Sequence, residues 1–184
     1  MGSHLLLIAP PPAQMTPTDP VLEAYKRELT YVFHALRWLG AQPQEVEDLA
    51  QEVFIALRRA WPNYDSTRPL RPYLFGVAFR VVSMQRRKRK REVAFAQLEL
   101  RDGGPGPDEM LQSKQARSLV LRALEAIPLR RRAVLVMHDL DEVPMAQIAA
   151  SLSMPLFTAY SRLRKARQEL EAALRKITNA TREP

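Results

Sequence analysis

Residues 101–107 (RDGGPGP) constrain the fold of this 184-residue chain more than any other stretch. They gather three of its six glycines and two of its prolines. Glycine loses the most backbone freedom on ordering, and proline lacks a backbone donor, so no helix or strand interior accepts that density. The segment reads as a linker. It leaves parts of about 70 residues on either side, each able to build only a modest core. Residues 20–91 are expected to form one helical domain, 92–107 the linker and 108–179 a second domain. Residues 1–19, rich in proline from Pro10 to Pro20, read as a disordered tail or an expression remnant.

The predicted fold is all-α: two small helical domains joined by a flexible linker, the C-terminal one carrying a helix-turn-helix. Asp19 before Pro20 is a helix start, with a cap followed by proline in the first turn. Val21, Tyr25, Leu29, Val32, Phe33, Leu36 and Leu39 recur at helical spacing, and Gly40 ends the run. Pro43 opens a second helix with Val46, Leu49, Val53, Leu57 and Ala60 on one stripe, and Pro62 stops it. Ser66 and Thr67 are candidate caps for a third, bearing Leu70, Leu74, Val77, Ala78, Val81 and Val82 and running into the basic residues 86–91. After the linker, Asp108 is expected to cap a helix to about Ala126. Pro128 opens one to about Asp139, Pro144 a short one through Leu152, and Pro155 the last, to about Ile177. No alternating strand pattern is evident.

The charge balance narrows the partner. A formal charge of +8 and a pI near 10.2 favour a polyanion, with nucleic acid ahead of a membrane surface. The absence of cysteine removes disulfides, thiolate metal sites and cysteine nucleophiles. It suits a reducing cytoplasm. The longest clean apolar run, Leu5 to Ala9, is too short to span a bilayer, so no membrane insertion is expected. His4, His34 and His138 are scattered, and no glycine-rich phosphate loop is present. No catalytic residue, metal site or cofactor is therefore expected, and the chain is read as a non-enzyme.

Residues 144–167 (PMAQIAASLSMPLFTAYSRLRKAR) have the layout of a helix-turn-helix. Ile148, Ala149 and Leu152 face inward on a short helix, Ser153 to Pro155 turn, and Ala159, Leu163 and Ala166 face inward on the next. Thr158, Tyr160, Ser161, Arg162, Arg164, Lys165 and Arg167 are left outside or at the edges. The second helix of such a motif enters the major groove, where Arg and Lys bond guanine and Ser and Thr bond bases or phosphates. An ordinary helical hairpin with a solvated basic face is the alternative. Ser153 occupies a turn position that glycine fills most easily.

Two further features bear on partners. The basic run 86–91 is denser than helix-dipole compensation requires, which points to phosphate contacts. Upstream, Trp61, Tyr64, Tyr73, Phe75 and Phe79 alternate with Arg68, Arg71 and Arg80. Trp61, Phe75 and Phe79 are assigned to the core, and Tyr64 and Tyr73 are the candidates for stacking on an unpaired base. Glu45, Asp48 and Glu52 fall on one helical face, bordered by Gln51. That face is either solvated or a docking surface for a basic protein.

Three stretches, in order, resemble the extracytoplasmic-function sigma factors of bacterial RNA polymerase over about residues 22–170. They are residues 48–60 (DLAQEVFIALRRA), residues 70–78 (LRPYLFGVA) with the basic run, and residues 124–135 leading into the helix-turn-helix. The resemblance implies a chain that binds core RNA polymerase and directs initiation at promoters with −35 and −10 elements. It implies that Asp48, Gln51 and Glu52 contact the polymerase clamp. Tyr64, Arg71 and Tyr73, in and beside the 63–71 loop, would serve a base of the −10 element, and Arg80, Arg86 and Arg87 its strands. Thr158, Tyr160, Ser161, Arg162 and Lys165 would read or grip the −35 element. Core polymerase, promoter DNA and an anti-sigma factor are the implied partners, in the cytoplasm at the nucleoid. The chain departs from the family pattern at Arg80 (usually asparagine), Met84 (aspartate), Phe157 (glycine) and Tyr160 (a basic residue). Two other readings stay open: a conventional helix-turn-helix regulator, and a degenerate sigma paralogue that acts as an interaction module. The linker, at about 3.3 Å per residue, spans roughly 50 Å, and with the domains' own size added this reaches two sites one to two DNA turns, about 35–70 Å, apart.

Overall fold

A computed structural model describes residues 19–96 and 112–182. All regular structure among the described residues is helical: α1 (Pro20–Trp38), α2 (Val46–Ala60), α3 (Leu70–Ala96), α4 (Gln112–Glu125), α5 (Leu129–Leu135), α6 (Met145–Ser151) and α7 (Leu156–Arg182). Two of the expected starts are shifted. Pro43 opens a 3₁₀ turn, Pro43–Glu45, and α2 begins only at Val46. Ser66 and Thr67 do not cap α3. Thr67 donates its backbone N–H and its hydroxyl to Asp65 in a local turn, and the helix starts at Leu70. α3 runs past the basic run to Ala96, and α7 runs past Ile177 to Arg182. The expected cap at Asp108 and most of the 92–107 linker lie outside the described residues.

Local chemistry explains the boundaries. Asp19 accepts from the backbone of Val21 at 3.0 Å and caps α1. α1 ends where Gly40 takes φ +88. There Gly40 N–H bonds the Arg37 carbonyl at 2.9 Å and Ala41 N–H bonds that of Leu36 at 3.0 Å, the paired bonds of a Schellman cap. α6 ends by the same device with Ser153 (φ +49) in glycine's place. Ser153 N–H bonds Ala150 at 3.2 Å and Met154 N–H bonds Ala149 at 2.9 Å. The turn position singled out in the sequence thus adopts the left-handed backbone it was expected to resist. Ser153→Gly is expected to stabilise the fold by about 1 kcal/mol, read as a rise in Tm. No change, or a fall, would mean that the serine contributes something the backbone does not reveal.

The halves share one core. Leu36, Val53, Leu57, Leu74 and Phe75 from the first half and Ile127, Val134, Met137, Ile148 and Ala166 from the second belong to a single buried cluster. Each fully buried large apolar side chain contributes about 1.5–3 kcal/mol. α3 packs on α6 through a notch at Gly76, where an added Cβ would stand 2.5 Å from the Ser151 carbonyl oxygen. Tyr31 of α1 donates to Asp141 at 2.6 Å, tying the first helix to the loop that follows α5. That loop begins with one widened π-helical turn, Val136–Leu140, which the spacing of apolar residues did not foretell. α7 is fastened back onto the second half by Arg131–Glu169, at 2.6 and 2.8 Å, and by Arg167–Asp139, at 2.6 and 2.9 Å.

Candidate nucleic-acid interface

The short α6, the turn at Ser153 and the long α7 form a helix-turn-helix whose inner positions are buried: Ile148, Ala149 and Leu152 against Ala159, Leu163 and Ala166. That packing fixes which face of α7 looks outward. Thr158, Ser161, Arg162 and Lys165 share one wall of a cleft. Arg162 touches the Met154 sulfur at 3.3 Å, and burial, then Arg130 and Arg131, holds its guanidinium below its ordinary value. Tyr160 is exposed and lies outside that wall. Phe157, at 83% exposed, is the most open large apolar side chain among the described residues.

The aromatic loop is built as a ladder. Tyr64 stacks on Trp61 at 5.1 Å between ring centroids and meets Tyr73 at 4.8 Å. The Tyr64 hydroxyl donates to the Arg68 carbonyl at 2.7 Å, which closes the loop on itself. Burial, then Asp65 and Tyr73, pushes this phenol above its usual value, so it remains a donor at physiological pH. Phe75 and Phe79 are buried, as their helical positions implied, and Trp61 is partly buried against the core.

The arginines assigned to the same region divide into two groups. Arg80 and Arg87 are exposed, with no ion pair among the described residues. Arg71 bonds Glu28 at 2.8 Å and sits 5.3 Å over the Tyr31 ring. Burial alone would raise the Glu28 carboxyl, but the bonds from Arg71 and Arg27 outweigh it and hold the carboxyl below its ordinary value. Arg86 is half-buried and donates to the carbonyls of Leu39, at 2.9 Å, and Gly40, at 3.5 Å. It caps the C-terminus of α1 as cations do. Behind it lies Arg132, which is 2% exposed. Arg132 bonds the Glu125 carbonyl at 2.8 Å and the Ile127 carbonyl at 3.1 Å, and its Nη1 has no hydrogen-bond partner. Burial, with Arg86 beside it, brings the Arg132 guanidinium down to about 10. Residue spacing carries no sign of this pair, because the two arginines meet only in the folded chain.

On α2, Asp48, Gln51 and Glu52 are exposed side by side, and the two carboxylates have no ion pair among the described residues. Glu45 leaves that face. It accepts from the Gln42 backbone at 3.0 Å and pairs with Arg89 at 2.6 Å, because it belongs to the 3₁₀ turn and points back toward α3. In its place the face gains Ile55, 48% exposed and one helical turn beyond Gln51 and Glu52. The isoleucine thus edges the carboxylates, with exposed Arg58 and Arg59 one turn further along the helix. Helical spacing alone could have drawn attention to it.

The cleft that holds the α7 wall is closed on its far side by Ser83, Arg86 and Arg87 of α3, and encloses about 710 Å³. The two cationic surfaces therefore face each other.

A family model described as Sigma-70 region 2 matches residues 24–92, and one described as Sigma-70, region 4 matches residues 117–170. The RNA polymerase sigma factor NccH of Alcaligenes xylosoxydans xylosoxydans is 25% identical over 146 residues, covering 76% of this chain and 78% of its own. The ECF RNA polymerase sigma-E factor of Escherichia coli is 25% identical over 138 residues, covering 69% of this chain and 72% of its own. The fold matches that of the sigma factor RpoE in complex with the anti-sigma factor NepR from Bartonella quintana. The TM-score is 0.64 at 22% identity, over 83% of this chain and 98% of that one.

Proposed function

The chain belongs to the extracytoplasmic-function sigma factors, and from that premise we propose how its surfaces divide the work of promoter-specific initiation. A sigma factor binds core RNA polymerase and directs it to promoters. The observation that carries the reading is the order of the two sigma-70 matches, one on each helical half.

Asp48, Gln51 and Glu52, with Ile55 at the edge of their face, dock on a basic surface of polymerase. The Trp61–Tyr64–Tyr73 ladder offers ring faces to a base drawn out of the −10 element. Extruding a base costs a few kcal/mol, and stacking returns about 1–3 kcal/mol. Arg80 and Arg87 hold the strands there. Arg71 and Arg86 are already engaged with Glu28 and the end of α1, which supports a role in holding the first half in shape beside any contact with DNA. Thr158, Ser161, Arg162 and Lys165 read or grip the −35 element, with Tyr160 at its edge. An anti-sigma factor is a further partner, as NepR is for RpoE of Bartonella quintana and as the cytosolic domain of CnrY is for CnrH. The work is done by binding energy, with no covalent step assigned to the chain, and the place of action is the cytoplasm.

Arg80, Met84, Phe157 and Tyr160, the departures from the family pattern, are all exposed. They change what the surface can touch and leave the core alone, which supports altered promoter choice over a lost fold.

The test is to mix the protein with core polymerase and a pool of genomic fragments, and to sequence the transcripts. Discrete starts sharing two upstream elements are expected. Stable polymerase binding without starts would leave an interaction module, and no polymerase binding would leave a plain DNA-binding regulator.

A further inference from the structure

The arrangement of the halves sets six cations around one cleft: Arg86 and Arg87 of α3, Arg130 and Arg131 at the start of α5, and Arg162 and Lys165 of α7. No aspartate or glutamate lines it. Of the six, only Arg131 has a carboxylate partner among the described residues, Glu169. Arg86 spends its bonds on neutral carbonyls, and the unbonded Nη1 of Arg132 lies buried just behind it. Tyr31–Asp141 and the Gly76 notch draw the halves together. Their closure gathers like charges at short range, which is unfavourable unless an anion enters between them.

We propose that this cleft binds an oligophosphate, as a free chain or as the phosphates of a nucleotide, which bridges the halves and keeps α7 away from DNA. The proposal rests on the reading of α7 as the −35 element helix. The cleft is of the size that small ligands and cofactors fill, about 300–1,000 Å³. Arginine forks match phosphate oxygens two at a time, and a single chain bearing several charges satisfies forks from both walls. The hydroxyls of Thr158 and Ser161 line the same space. Phe157, also in the lining, presents an open ring on which a base can stack. A duplex is a poor occupant of the closed form. Its major groove, about 12 Å wide, has to receive the face of α7 that looks into this cleft opposite α3.

Inorganic tripolyphosphate is the first probe, titrated calorimetrically into the full chain at a fixed ionic strength of about 0.15 M, where unspecific attraction is screened. Binding at one site per chain is expected, together with a lower radius of gyration and weaker binding of a promoter duplex. Arg130→Glu should weaken the tripolyphosphate at least tenfold, and Arg130→Gln, which adds no repulsion, severalfold. Adenosine triphosphate is the second probe. If it binds more tightly than tripolyphosphate, and Phe157→Ala removes the difference, the site takes a nucleotide. If the two bind equally, it takes a free oligophosphate. Tripolyphosphate binding that is undetectable, indifferent to both Arg130 variants, or without effect on compaction overturns the proposal. Transcripts started without tripolyphosphate test the sigma reading separately. Starts without tripolyphosphate binding sink only the site, and tripolyphosphate binding without starts sinks only the sigma assignment.

Discussion

Replacing both Asp48 and Glu52 with lysine lowers affinity for core RNA polymerase at least a hundredfold and leaves isolated duplex binding within about twofold. Like charges brought together across an interface cost several kcal/mol, and each 1.4 kcal/mol is a factor of ten. Two reversals in one patch therefore exceed a hundredfold even after partial screening. The fold tolerates them. Both side chains are exposed, neither has an ion pair among the described residues, and the loss of favourable charge in the first turns of α2 is worth only about 0.3–1 kcal/mol each. Polymerase affinity measured by surface binding, beside melting of the same variant, is the check. Unchanged affinity in a folded variant would remove α2 from the polymerase contact, and with it the division of labour between the halves.

Gly76→Ala is expected to open the molecule. The added methyl carbon would lie 2.5 Å from the Ser151 carbonyl oxygen, so α6 has to move off α3. Overpacking of this kind costs about 1–3 kcal/mol, which multiplies the open-to-closed ratio by about 5 to 150. Apparent duplex affinity rises with the open fraction, because binding draws on molecules whose α7 has parted from α3. α3 itself gains from the change, since alanine is favoured over glycine in a helix by about 1 kcal/mol. A more helical chain with a larger radius of gyration is a combination that simple destabilisation does not produce. Scattering and fluorescence anisotropy on the same sample decide it. A variant as compact as the parent would mean that the halves adjust around the methyl group.

Much of this was legible in the residues themselves. The helices announced themselves through apolar spacing, the capped start through Asp19 and Pro20, and the turn of the helix-turn-helix through the three residues, Ser153 to Pro155, between two apolar faces. The burial of Phe75 and Phe79 followed from their positions on α3, whereas Trp61, assigned to the core, and Tyr73, assigned to the surface, both pack partly buried against it. What could not be read is what arises between elements. Glu45 sits at a helical interval from Asp48 and Glu52, yet a 3₁₀ turn rotates it toward Arg89. Arg71 and Arg86 look like free cations in a basic tract, and only tertiary neighbours show them engaged with Glu28 and the end of α1. The widened turn after α5 leaves no compositional trace. The packing of the halves was hidden most deeply, because the glycine- and proline-rich stretch between them argued for independence.

That packing bears on how long the protein lasts. A core drawn from both halves means that opening to reach a promoter wets apolar side chains that closure keeps dry. A copy that opens on polymerase can bury them again against its host. A copy that opens alone displays them to chaperones and proteases, which select on such surface. Faster proteolysis of the free chain than of the polymerase-bound one is the expected consequence.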